Sequence, residues 1–206
     1  MHQYLRGLET DDWGQTGGVW GPPWDYGTFG SGVLMTGPSL LQANVGRNGN
    51  FYLVCVLKSG QLQLWWNDLD GLNDAWQEGE IFGSGYGWTP PCMIQSQGDD
   101  SDTAVGNFEL VIASGSKIHH WYRENRGLSP TNRPEVGKPK AGNGQWYKTA
   151  SFGTSIIHVW GLLESSFHSN LELIAETSDH KMQHWYRDTA DMQWYGGTLD
   201  ETKMAT

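Results

Sequence analysis

Three stretches of this chain repeat one another, and that repeat limits the fold more than any other feature. They open as Gly49-Asn50-Phe51-Tyr52-Leu53-Val54, Gly106-Asn107-Phe108-Glu109-Leu110-Val111 and Ser169-Asn170-Leu171-Glu172-Leu173-Ile174. Each runs on to an aromatic cluster: Leu64-Trp65-Trp66-Asn67-Asp68, His120-Trp121-Tyr122-Arg123-Glu124 and His184-Trp185-Tyr186-Arg187-Asp188. The first Trp of each cluster lies 15, 14 and 15 residues beyond the Asn. A further Trp follows in each copy, at Trp76, Trp146 and Trp194. Phe82-Gly83 and Phe152-Gly153 lie six residues past the first two of these.

The N-terminal region carries the second half of the same unit. Tyr4-Leu5-Arg6 resembles Trp121-Tyr122-Arg123, and Trp24 leads to Phe29-Gly30. The stretch from Phe29 to Gln42 matches that from Phe82 to Gln95, with 13 residues from Phe to Gln in both. The chain therefore divides into a partial unit at 1–36 and full units at 37–88, 89–154 and 155–206. The second full unit holds a Pro-, Gly- and Lys-rich insertion at 128–144.

Each unit reads as four strands, in the first at about 38–45, 50–57, 61–67 and 75–82. Period-two alternation supports strands. In Lys117–Arg123, Ile118, His120 and Tyr122 take one face, and Lys117, His119, Trp121 and Arg123 the other. No ten-residue segment carries a helical stripe. Repeated four-stranded units with Gly-rich turns predict an all-β chain, a β-propeller built from four-stranded blades of about 50–65 residues. Its first blade is incomplete. Both faces of a blade pack on neighbours, which is why both carry aromatics. The composition agrees: 12 Trp and 28 Gly in 206 residues, with 17% charged. The chain would begin at the third strand of a unit, giving fourteen strands, and two copies would hold twenty-eight, enough for seven blades. An open arc exposes edges and an apolar flank, so a homodimer completing the ring is expected.

The net charge of -10 repels a phosphate backbone, so no nucleic-acid partner is expected. No stretch approaches the ~20 apolar residues of a membrane helix, so no membrane partner is expected either. The opening Met1-His2-Gln3-Tyr4-Leu5-Arg6 lacks the apolar region of a signal peptide. That fits a cytoplasmic protein or one exported without a leader. Cys55 and Cys92 fall in different strands and read as ordinary buried thiols.

The Phe-Gly-Ser-Gly…Gly-Pro-Ser-Leu-Leu-Gln and Gly-Asn-Phe-Glu-Leu-Val…His-Trp-Tyr-Arg patterns resemble repeats of bacterial and fungal propeller lectins. The resemblance implies sugar sites repeated once per blade or between blades, and a glycan or other small polar ligand.

The residues that could carry such sites are Trp121, Arg123 and Glu124, and their copies Trp185, Arg187 and Asp188. An aromatic face stacks on the C–H patch of a sugar, while Arg and carboxylates bond its hydroxyls. The corresponding positions elsewhere are Trp65 with Asn67 and Tyr4 with Arg6. Asn67 replaces the expected Arg, so a site there would be weaker. The competing reading has the same Trp and Arg filling the gaps between blades.

Other functions are less well supported. Glu109 with Glu172, and Glu124 with Asp188, are repeat-equivalent, and such residues meet only near a propeller axis. An enzyme would need one site that breaks the repeat, and a protein-interaction scaffold an exposed patch. Arg126, Arg133, Lys138 and Lys140 make the insertion locally basic, as a solvated loop or an anion-binding patch. His119 and His120 point to opposite faces of one strand and cannot share a metal ion. No metal site and no cofactor are expected.

Overall fold

The computed structural model describes residues 6–10, 16–20, 30, 34–45, 49–68, 76–97, 106–125, 145–166 and 168–198. Among them there is no helix. Strands β1 (Arg6–Thr10) and β2 (Thr16–Trp20) form a two-stranded sheet. Three antiparallel four-stranded sheets follow in chain order. The first holds β3 (Ser39–Gln42), β4 (Phe51–Val56), β5 (Leu62–Asn67) and β6 (Gln77–Phe82). The second holds β7 (Cys92–Gln95), β8 (Phe108–Ser114), β9 (Lys117–Arg123) and β10 (Trp146–Phe152). The third holds β11 (Ile156–Glu164), β12 (Leu171–Thr177), β13 (Met182–Arg187) and β14 (Trp194–Thr198). Each is a meander, and β7 touches β3 on one side and β11 on the other, so the first strands run side by side. This is the radial stacking of propeller blades.

The repeated residues each have a structural task. Asn107 Oδ1 accepts the backbone N–H of Asn125, and Asn170 Oδ1 that of Thr189. The Asn thereby ties the start of a blade's second strand to the end of its third. The tight turn from β8 to β9 pairs Ser114 with Lys117, and its Gly115 and Ser116 both have positive φ (57° and 63°). That is the type I′ geometry whose twist suits a hairpin.

The blades are joined by aromatic triples. Phe82 at the end of the first blade stacks on Trp146 of the second at 4.6 Å and 8°, and takes Trp121 edge-on at 5.3 Å. Phe152 repeats this with Trp194 at 4.6 Å and 17°, and with Trp185 at 5.1 Å. The Gly after each Phe turns the chain toward the next blade at φ 63° (Gly83) and 77° (Gly153). A Cβ on Gly83 would stand 2.7 Å from Tyr86 Cε2, and one on Gly153 2.9 Å from Ile156 Cγ1. The Phe-Gly pair is thus a ring that fills the junction and a backbone that can leave it.

Burial follows these junctions. Phe108, Leu110 and Ile112 of β8 face the first blade, and Val111 and Ala113 face the third. β8 therefore reads as a continuous apolar run, as a strand covered on both faces should.

The N-terminal hairpin differs from its expected register. Arg6 stands opposite Trp20 and opens β1, whereas Arg123 and Arg187 end their strands. Tyr4, the Trp24–Phe29 stretch and the 128–144 insertion lie outside the described residues.

Candidate functional site

The arginines at the blade junctions come from the ends of the third strands. Arg123, at the end of β9, is buried at the first junction. Its Nη1 donates to Asn125 Oδ1 at 2.6 Å, and its guanidinium lies 5.7 Å from the centre of the Phe108 ring. Burial lowers its affinity for the proton, and the nearby Tyr52 and Glu80 oppose that. Glu80 in turn is raised by burial, against a backbone hydrogen bond from Trp146 and the charge of Arg123.

At the second junction the same position is Arg187, and it meets a carboxylate. Its Nη2 lies 3.5 Å from Glu109 Oε1 across the blades. Glu109 Oε2 is 2.7 Å from His120 Nε2. Trp194 Nε1 points at His120 Nδ1 at 3.4 Å, and Thr149 Oγ1 lies 2.6 Å from the same nitrogen. An indole N–H can only donate, so Nδ1 accepts and Nε2 carries the proton toward Glu109. Glu109, His120 and Arg187 are all buried. The Arg187 Nε and, at the first junction, the Trp146 Nε1 are buried donors without a protein acceptor.

The aromatic candidates sit inside these junctions. Trp121 is 9% exposed and donates to Tyr86 Oη at 2.8 Å. Trp185 is half-buried and donates to Gln183 Oε1 at 3.1 Å. Trp65 is buried with Leu53, Cys55 and Leu57, and Asn67 is buried at the end of β5. Glu124 is half-buried just past β9. Asp188 Oδ1 accepts the backbone N–H of Ala190, and its carbonyl accepts that of Met192, so it shapes the turn into β14. Arg6 is placed by its backbone alone, and Tyr4 lies outside the described residues. The structure thus brings together Trp121 with Arg123, and Trp185 with Arg187, on one face of their strands, but directs that face to the neighbouring blade.

Among the described residues, one open feature is a polar cleft of about 240 Å³. It is lined by Thr154 and Ser155 from the β10–β11 link, Thr177, Ser178, Asp179 and Lys181 from the β12–β13 turn, and Gln183 of β13. Its geometry is set locally. Ser178 N–H donates to the Ser155 carbonyl at 2.7 Å, joining the two segments. Thr177 Oγ1 donates to Asp179 and lies 3.0 Å from the Lys181 carbonyl. The Asp179 carboxylate meets Lys181 Nζ at 2.9 Å. The Lys181 ammonium, then the Thr177 hydroxyl, hold the Asp179 carboxyl down at about 2. The cleft offers hydroxyls, an amide, a carboxylate and an ammonium within one small concavity. Its wall touches the aromatic cluster through Gln183, the acceptor of the Trp185 N–H.

Sequence reasoning did not find this cleft, because its residues are turn residues brought together by the fold. The available signal was the pair of Thr-Ser steps at 154–155 and 177–178. It also did not find the Glu109–His120 pair, though a Glu precedes a His by 11 and 12 residues in two copies. Among the described residues no three His, Cys, Asp or Glu side chains converge to hold a metal ion.

No protein-family model matches the sequence, and no curated protein matches it. Solved structures do. A fungal lectin from Aleuria aurantia, described as a six-bladed β-propeller with a novel fucose recognition mode, matches with a TM-score of 0.52 at 19% identity. The match covers 79% of this chain and 46% of the lectin chain. A mutant of that lectin bound to α-methyl-L-fucoside matches with a TM-score of 0.51 over 79% and 45%. The chain spans less than half the length of these lectins, and the likeness is one of fold: a β-propeller of the kind found in lectins.

Proposed function

We propose that this chain is a carbohydrate-binding, lectin-like propeller module whose ligand enters the polar cleft beside the second blade junction. The observation that carries the reading is the cleft itself, on a propeller that resembles fucose-binding lectins. Small-molecule sites combine a concave surface with a few fixed polar groups. At about 240 Å³ this one suits a single sugar ring, and its lining supplies both donors and acceptors for hydroxyls. The Trp185/Arg187 pair acts with it from the second junction, beside the cleft, while Trp121/Arg123 belong to the first junction. Trp185 also fixes Gln183, which faces it.

A glycan array with fucosylated and unfucosylated members, read beside a turnover assay, tests this. The expected result is binding with no product. Asp179→Ala and Lys181→Ala alter exposed side chains (57% and 66%), so they leave the fold intact. Each should weaken binding by about tenfold or more, the loss of one charge-assisted hydrogen bond. A blank array, or binding indifferent to both substitutions, would overturn the proposal. Trp185→Ala adds a discrimination. If it loses binding while staying folded, the ring acts on the ligand or on Gln183; if it unfolds, the ring is architectural.

A further inference from the structure

The turn between β8 and β9 is built like the one beside the polar cleft, but its charge is left open. Aligning His120 with His184 sets His119 against Gln183 and Lys117 against Lys181. Ser114 then takes the place of Thr177. It pairs with Lys117 across the turn, as Thr177 N–H donates to the Lys181 carbonyl. The β12–β13 turn is one residue longer, and Asp179 lies in that longer stretch, where it neutralises Lys181 at 2.9 Å. The β8–β9 turn, Ser114-Gly115-Ser116-Lys117, holds no acid. Among the described residues neither Lys117 nor Lys148 has a carboxylate within ion-pair distance.

Both lysines are exposed, and both belong to the side of the second blade that faces the first. Lys117, His119 and Trp121 share one face of β9, and Lys148 stands opposite Trp121 in β10. His119 is fixed beside them. Burial first, then the charge of Lys148 and, more weakly, that of Lys117 lower its affinity for a second proton, against its hydrogen bond to Ser114. Its Nε2 donates to the Ser114 carbonyl at 3.1 Å, and Nδ1, 2.9 Å from Ser151 Oγ, accepts. A neutral imidazole thus lies beside two uncompensated cations, on a chain whose net charge is -10.

The β6–β7 link closes the other side. Ser114 Oγ donates to the Gly85 carbonyl at 3.1 Å, and Thr89 Oγ1 donates to the Ala113 carbonyl, so the link is tied to the turn twice. The Tyr86 ring takes His119 edge-on at 5.7 Å. Between the two ties stands Trp88, 77% exposed, the most exposed large apolar side chain among the described residues. The matching link into the third blade passes from Gly153 through Thr154 and Ser155 straight to β11 and carries no aromatic. The place is an internal junction, with a blade on either side of it.

We propose that this end of the first junction binds an acidic sugar, with Trp88 against the ring face and Lys117 and Lys148 against its sulfate or carboxylate. The indole alone would take any apolar face, and the lysines alone any anion; together, on one turn, they select a ligand that has both. The net charge of the chain disfavours a long phosphate backbone, which leaves a short ligand with a single anionic group. The inference does not depend on the cleft, where Asp179 already neutralises Lys181.

Chemical-shift titrations of the full chain with galactose 6-sulfate, galactose and inorganic sulfate, at constant ionic strength, test it. Galactose 6-sulfate should bind, and should raise the titration midpoint of His119, because its anion offsets the two lysines. Lys117→Glu and Lys148→Glu should each weaken that binding at least about tenfold. Trp88→Ala should weaken it as well, while leaving the weaker binding of inorganic sulfate unchanged. All three side chains are exposed, so circular dichroism should not change. Asp179→Ala should leave the sulfated sugar unaffected, which separates this site from the cleft. No binding of galactose 6-sulfate, or binding that survives all three substitutions, would overturn the proposal. So would inorganic sulfate binding as tightly as the sulfated sugar, or tighter binding of a short thymidine oligonucleotide.

Discussion

Glu109→Ala and Glu172→Ala delete the same carboxylate from equivalent places in two blades, and the structure gives them different costs. Glu109 is 3% exposed. Removing it leaves the His120 Nε2 proton without its acceptor and Arg187 buried without its counter-charge. Breaking a buried charged pair costs about 3–5 kcal/mol, and the 3.5 Å separation from Arg187 places this case near the low end, about 3. The Glu172–His184 pair is equally short, but its side chains are 20% and 41% exposed. Water and salt screen such a pair, so its loss costs about 0–1 kcal/mol. The difference of about 2 kcal/mol corresponds to melting temperatures roughly 4–8 °C apart for a chain of this size. Urea melts followed by tryptophan fluorescence are the assay, since the Trp194 ring lies 5.3 Å from that of His120 and reports the junction directly. Equal losses for the two variants, within about 0.5 kcal/mol, would refute the claim that junction burial separates the two pairs.

Three further outcomes follow from the geometry. Gly83→Ala and Gly153→Ala each combine positive φ with a Cβ under 3.0 Å from a neighbour, and should cost about 1–3 kcal/mol in denaturant melts. Gly85→Ala, at φ 78° with nothing within 4 Å, carries only the backbone strain and should cost about 1 kcal/mol. Phe82→Ala empties the first aromatic triple and should cost about 3–5 kcal/mol, with a red shift of tryptophan emission as Trp121 and Trp146 gain water. Burial pushes the Cys55 thiol up to about 11. The unfolded thiol ionises near 8.5, so the folded chain binds the proton more tightly and stability falls as pH rises from about 8.5 toward 11. Thiol titration at pH 8 should leave Cys55 unmodified until the chain is unfolded.

The parts of the fold that were legible in the sequence are those each blade makes for itself. The four strands of the first full blade, expected at about 38–45, 50–57, 61–67 and 75–82, are found at Ser39–Gln42, Phe51–Val56, Leu62–Asn67 and Gln77–Phe82. Alternation, turn glycines and the Asn that ties strand two to strand three are short-range signals, and they repeat. The chemistry between blades was not legible. Arg187 reaches a carboxylate 78 positions earlier, and no local pattern announces that pairing. The cleft likewise joins two turns more than twenty residues apart through one backbone hydrogen bond from Ser178 to Ser155.

The junctions also show why near-identical blades are not interchangeable. In the first blade the positions of Glu109, His120 and Thr149 are held by Tyr52, Leu64 and Gly79. The three change as a set. Leu64 stands at the His position, and a Cβ on Gly79 would be 3.0 Å from the Leu64 carbonyl and 3.3 Å from its Cβ, so a Thr there would crowd that side chain. With no carboxylate from strand two, Arg123 is met instead by Asn125, the Phe108 ring and the charge of Glu80. In the second blade the carboxylate is present, bonded by His120 Nε2, with Thr149 and Trp194 at the other ring nitrogen of that His. Exchanging one residue between these solutions would strand a buried charge or overfill a gap, and either error costs more than a surface ion pair returns. The repeat therefore conserves the shape of the junction through its Phe and Trp, and lets the polar residues give each junction its own partner.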